Sequence, residues 1–118
     1  MIKPKVLVTG ANGFVGEALV FHLLLGKKFT PIAAVRGETR LQGLCPVVRF
    51  DLVESRTLPS LADVEVIVHA AARVHVMHET MTDALAEFRK VNVEGTLRLA
   101  RLAAEAGVKR FIYLSSIK

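Results

Sequence analysis

An internal disulfide is closed to this chain. It has a single cysteine, Cys45, among 118 residues, and a lone thiol fits a reducing compartment such as the cytoplasm. Cys45 precedes Pro46 in a loop-like stretch and reads as incidental. No uncharged apolar run approaches the length of a bilayer span, and the N-terminus lacks a signal-peptide pattern, so no membrane partner is expected. Aromatic residues make up 6% of the chain and do not interleave with the basic ones, which are scattered. Several of those, Arg89, Lys90, Arg98 and Arg101, fall on the outer face of a predicted helix, so the net charge of +5 reads as a solvated face or a mild attraction for anionic ligands, and no nucleic-acid partner is expected. Repeats and low-complexity tracts are absent, and no Gly-Lys-Ser/Thr is present to grip β- and γ-phosphates as a P-loop does.

What the chain does have is apolar residues, 52% against 23% charged, enough for the core of one small α/β domain. Its organising stretch is Val6 to Gly16, VLVTGANGFVG. The run Val6-Leu7-Val8 reads as a buried parallel strand, and an apolar pattern of helical period starts at Phe14 and Val15. Between them lie Gly10, Gly13 and Gly16. Gly10 permits the tight turn off the strand, Gly13 lets main-chain N–H groups approach phosphate oxygens, and Gly16 lets the helix pack against the strand with its N-terminus facing an anion. The spacing is G-x-x-G-x-x-G rather than the commoner G-x-G-x-x-G.

Along the chain, strands are expected over Lys5 to Thr9, Pro31 to Val35, Val47 to Phe50, Val64 to His69 and Arg110 to Leu114. Helices are expected from Phe14 to Leu25, ended by Gly26, and from Met81 to Ala106, with Gly107 just past the end; a short helical turn is placed over Leu58 to Leu61. Apolar strands alternating with helices predict a Rossmann-type doubly wound parallel α/β sheet in the order 3-2-1-4-5, helices on both faces. The chain stops just after the fifth strand, where such a sheet usually continues. The expectation is an incomplete dinucleotide-binding domain over residues 1–118, the front part of a longer protein.

Candidate ligand residues gather at the predicted carboxyl edge. Arg36 lies at the end of the second strand, where an acid serves the ribose hydroxyls of NAD and an arginine serves the 2′-phosphate of NADP, so NADP is favoured, with Glu38 as the alternative ribose partner. Asp51 can accept from an adenine amino group while Leu52 packs on the ring, or can simply form a turn. Ala70, Ala71 and Ala72 follow the fourth strand and let a flat ligand lie against the backbone, or serve as packing filler. His69, His75 and His78 invite a metal reading, but no cysteine or carboxylate cluster completes a ligand set, and none is expected. Leu85, Phe88, Asn92, Thr96, Leu99 and Ala103 form one stripe of the long helix, which makes Asn92 a buried amide, structural or ordering the cofactor-side loops. Ser115 and Ser116 reach the same edge, as caps or as hydroxyls for a substrate.

Together these residues resemble the extended short-chain dehydrogenase/reductases of the NAD(P)-dependent epimerase/dehydratase family, with UDP-glucose 4-epimerase-like sugar-nucleotide enzymes the nearest likeness. The resemblance rests on Thr9-Gly-Ala-Asn-Gly-Phe-Val-Gly16, Asp51-Leu52, His69-Ala-Ala-Ala72, Val91-Asn-Val-Glu-Gly-Thr96 and Arg110-Phe-Ile-Tyr-Leu-Ser-Ser116. It implies that Gly10, Asn12, Gly13, Phe14 and Val15 meet the pyrophosphate and its ribose, Arg36 the adenosine end, Asp51 and Leu52 the adenine, and Ala70, Ala71 and Ala72 the cleft wall, with Asn92 in support. Ser116 matches the family's catalytic Ser/Thr, and a nucleotide sugar is the implied substrate, with a homodimer possible. The family's Tyr-x-x-x-Lys base is not in this chain, whose one tyrosine, Tyr113, falls inside a strand, and Arg36 stands where NAD-using 4-epimerases carry an acid. An NADP-dependent reductase of the same superfamily and a non-catalytic dinucleotide-binding module therefore stay open beside the epimerase or dehydratase.

Overall fold

The structure, a computed structural model, describes residues 3–50, 60–70 and 81–114, and of 81–92 the backbone alone. Its elements are β1 (Lys5–Thr9), α1 (Phe14–Gly26), β2 (Thr30–Val35), β3 (Val47–Arg49), β4 (Val64–His69), α2 (Met81–Ala106) and β5 (Arg110–Tyr113). They build one five-stranded sheet in the order β3-β2-β1-β4-β5, with every neighbouring pair parallel. This is the Rossmann-like order expected from the sequence.

The two faces of the sheet separate the core. On β1, Leu7 packs in a cluster with Ala34, Phe50, Ile67 and the α2 residues Leu99 and Ala103, while Val6 and Val8 pack in the other with Ala33, Val35, Leu41, Val68 and Val20 of α1. Alternate residues of one strand thus face different helices, because successive side chains point to opposite sides of a pleated sheet. Leu7, Val8, Val20, Ile67 and Leu99 are fully buried, each stabilising the fold by roughly 1.5–3 kcal/mol relative to exposure. On the predicted α2 stripe, Leu99 and Ala103 are buried and Thr96 is part-buried; the side chains of Leu85, Phe88 and Asn92 lie outside the described residues.

Most element ends fall within one residue of expectation. β2 begins at Thr30, β3 stops at Arg49, and β5 stops at Tyr113. The end of α1 differs in kind. Gly26 remains helical and Lys27 takes the left-handed position at φ 59°, its N–H closing on the Leu23 carbonyl at 3.3 Å. Leu25, counted in the apolar pattern, is 81% exposed. α2 ends as expected, with Gly107 at φ 80° and a double closure: Gly107 N–H to the Ala104 carbonyl at 3.3 Å and Val108 N–H to the Ala103 carbonyl at 3.0 Å. Of the turn expected over Leu58 to Leu61, Leu58 and Pro59 lie outside the described residues, and Ser60 and Leu61 are not helical.

The link between β2 and β3 carries no helix. It is pinned instead by Leu41, which is fully buried in the α1-side core, and by a bridge between Gln42 and Cys45. That leaves its polar residues at the carboxyl edge of the sheet.

Candidate functional site

The carboxyl ends of the three central strands finish side by side, with Thr9 paired to Ala34 on one flank and to His69 on the other. The sheet order reverses between β1 and β4, so a crevice opens at this edge, the place where open α/β sheets take ligands.

On one side of the crevice lies the glycine turn. Gly10 sits at φ 65°, its carbonyl accepts the Gly13 N–H at 2.9 Å, and the Ala11 N–H reaches across to the Ala34 carbonyl at 3.3 Å. A Cβ on Gly16 would lie 2.2 Å from the Gly10 oxygen and 2.8 Å from its carbonyl carbon, so no side chain fits there. Gly13 is the extended residue before α1, no side chain caps the helix, and the first bond of the helix runs from the Glu17 N–H to the Gly13 carbonyl at 2.9 Å. The amides of Phe14 and Val15 consequently have no acceptor among the described residues, and those two residues are 93% and 55% exposed. An uncapped helix mouth with free N–H groups and a partial positive charge suits a phosphate or diphosphate. The donors present, and the absence of a Cβ where the chain must pass close, fit such a group.

Exposed charges stand on the rim next to it. The Asn12 Nδ2 donates to the Glu38 carbonyl at 2.8 Å, tying the glycine turn to the segment after β2. Arg40 forks onto Glu17 of α1 with Nε–Oε2 at 2.9 Å and a second, shorter contact from Nη2 to Oε1, and this holds the Glu17 carboxyl below its usual range. The Arg49 Nη1 donates to the Arg36 carbonyl at 3.0 Å.

The seam between β1 and β4 is built differently. His69 is fully buried. Its Nδ1 lies 2.7 Å from the Thr9 Oγ1 and its Nε2 lies 2.9 Å from the Thr96 Oγ1 of α2. The Thr9 hydroxyl oxygen also accepts the Ala70 N–H at 3.0 Å. The ring stacks on Tyr113, centroids 5.7 Å apart, and tilts against Phe111 at 6.0 Å. Burial pushes the His69 pKa down to about 4, so the imidazole is neutral near pH 7, with one nitrogen donating to a threonine hydroxyl and the other accepting from one. Both nitrogens are thereby used, which removes His69 from any metal reading; His75 and His78 lie outside the described residues.

Of the residues singled out in the sequence, Gly10, Asn12, Gly13, Phe14, Val15, Arg36 and Ala70 come together at this edge. Asp51, Leu52, Ala71, Ala72 and Ser116 lie outside the described residues, as does the Asn92 side chain. No motif in the sequence alone pointed to Thr9, Thr96 or Arg49 as hydrogen-bonding residues of this edge. Thr9 and His69 close two apolar strands as polar residues, and Thr96 lies on the sheet-facing stripe of α2; that coincidence was a usable signal for a buried polar contact.

A parallel sheet in this order, with a glycine turn feeding a helix at the point where the order reverses, defines a Rossmann-like α/β unit. The chain belongs to the NAD dependent epimerase/dehydratase family, which matches residues 6–118. It is 42% identical over 118 residues to a UDP-glucose 4-epimerase of Vibrio cholerae, covering 98% of this chain and 36% of that protein. It is 34% identical over 119 residues to a 3-beta-hydroxysteroid dehydrogenase of Mycolicibacterium neoaurum, covering 95% of this chain and 32% of that protein. Among solved structures, MoeE5 in complex with UDP-glucuronic acid and NAD superposes with a TM-score of 0.77 at 31% identity, over 95% of this chain and 36% of that one. The chain thus spans about a third of the length of these relatives. Among the described residues no helix is long and apolar enough to cross a membrane.

Proposed function

We propose that this chain is the cofactor-binding part of a nucleotide-sugar epimerase or dehydratase, and that it holds NADP in preference to NAD. The observation that carries the reading is the uncapped mouth of α1 behind Gly10, whose free amides at Phe14 and Val15 suit the pyrophosphate. The sugar-nucleotide relative supports the substrate class. When bound, the dinucleotide supplies a nicotinamide that takes up or returns hydride at a sugar carbon. Gly10, Asn12 and Gly13 shape the turn against the phosphates, Arg36 serves the adenosine end, and Ala70 lines the crevice wall. Asp51, Leu52, Ala71, Ala72 and Asn92 complete the cofactor contacts, and Ser116 orients the sugar hydroxyl that loses its proton.

A second reading, an NADP-dependent reductase of the same superfamily, is favoured by Arg36, since a guanidinium at this strand end suits a 2′-phosphate, and by likeness to a dehydrogenase. A non-catalytic dinucleotide module is the third. The encoded sequence beyond Lys118 separates them: a Tyr-x-x-x-Lys pair roughly 20–30 residues on, able to reach the same hydroxyl as Ser116, marks an enzyme. The 118-residue stretch alone is expected to bind dinucleotide weakly and turn nothing over. We place the protein in the cytoplasm, on its single free thiol. We also place a homodimer contact on the outer face of α2, where Val93 and Leu97 are 56% and 49% exposed.

The deciding experiment titrates NADPH and NADH by fluorescence against the whole encoded protein and its Arg36→Asp variant. NADPH should bind more tightly to the native protein, and the variant should swing toward NADH. Failure of both dinucleotides to bind overturns the cofactor reading; an unchanged preference in Arg36→Asp overturns the role of Arg36.

A further inference from the structure

The geometry points to Arg49 as a second cationic arm for the adenosine phosphate, beside Arg36 and to the exclusion of Arg40. This rests on the dinucleotide reading above and adds a residue to it. β2 and β3 run parallel with Val35 paired to Arg49, so Arg49 ends its strand one position before Arg36 begins the next loop. Its Nη1 donates to the Arg36 carbonyl at 3.0 Å, which anchors the guanidinium over the carboxyl end of β2. A guanidinium has five N–H donors in a rigid fork, so one bond to a main-chain oxygen fixes its place and leaves donors for an anion.

Charge on this corner separates the three arginines. Arg40 is neutralised by its two-point contact with Glu17. The other ion pair among the described residues joins Lys109 to Glu65, which flank the far edge of the sheet, so Arg36 and Arg49 take part in neither. Both are exposed. The main-chain carbonyl of the nearby Glu38 accepts from Asn12, and the Glu38 carboxylate joins no ion pair among the described residues. Two arginines at adjacent strand ends, in no ion pair among the described residues, suit a phosphate monoester, which carries close to two negative charges at pH 7 and three acceptor oxygens. A ribose hydroxyl in the same place would use neither charge.

The test is a fluorescence titration of NADPH and of NADH against the whole encoded protein carrying Arg49→Gln, Arg49→Lys or Arg40→Gln. Arg49→Gln should weaken NADPH binding roughly tenfold and leave NADH within about twofold, because a charge-assisted bond is lost only where the phosphate is present. Arg49→Lys should fall between, keeping the charge without the fork, and Arg40→Gln should leave both ligands as in the native protein. Equal weakening of NADPH and NADH by Arg49→Gln would show a merely structural role and overturn the inference, as would unchanged NADPH binding. If the native protein binds neither dinucleotide, the cofactor reading itself fails; the NADH arm keeps the two failures apart.

Discussion

Two polar regions share one edge of the sheet and are built on opposite terms. At the β1–β4 seam, Thr9 and His69 are drawn out of water, Thr96 is part-buried against them, and none of the three carries a charge. At the rim beyond β2, Arg36, Arg40 and Arg49 are charged and exposed. A buried hydrogen bond holds structure because its partners have nowhere else to turn, so losing one strands the other. An exposed ion pair contributes little to stability, since water and salt compete for both charges. The seam is therefore the place to look for stability and the rim for ligand choice.

The comparison first breaks at the element both regions share. Gly16→Val should destabilise by at least about 3 kcal/mol, since its Cβ would meet main-chain atoms that cannot move aside; a native denaturation midpoint in that variant would refute the packing described. Next, His69→Ala should lower stability by roughly 2–4 kcal/mol in urea unfolding, from the cavity and from the Thr96 hydroxyl left without its partner.

A pH series sharpens the seam further. Unfolded, His69 takes up a proton near its ordinary 6.5; folded, burial holds it off until about 4. The unfolded chain binds more protons between those values, so this contribution is complete above pH 6.5 and is lost as the pH falls toward 4, up to roughly 3 kcal/mol in all. Among the described residues, the groups facing the ring are Thr9, Thr96, Phe111 and Tyr113, with no carboxylate among them to stabilise the charged form. Unfolding midpoints at several pH values should show this slope in the native protein and a flatter one in His69→Gln.

Smaller effects belong to the surface. Gly26→Ala should raise stability by somewhat less than 1 kcal/mol, because the position is helical with open space around it. Arg40→Gln should be the smallest of all, with any shift in midpoint disappearing in 1 M salt. A clear loss there would show that the rim supports the fold after all.

How much of this was legible beforehand differs between the regions. The glycine turn was legible because each glycine answers a local constraint: a left-handed φ at Gly10 and a close approach at Gly16. The strand order followed from alternation and the right-handed crossover rule. The end of α1 was misread because Gly26 is the usual residue for a left-handed terminus, whereas the helix continues one residue further and Lys27 takes that conformation. The seam was hidden for another reason. In sequence His69 stands close to His75 and His78, while its hydrogen-bond partners stand 60 residues before it and 27 after.

The sequence by itself determined the alternation of elements and the glycine turn, since these depend on local backbone freedom and on the periodicity of apolar residues, while its motifs carried the resemblance to the family. Only the tertiary structure decided which polar side chains meet. Hydrogen bonds such as His69 to Thr96 and Arg49 to Arg36 join different elements, and no spacing along the chain encodes the distance between elements once the sheet has assembled.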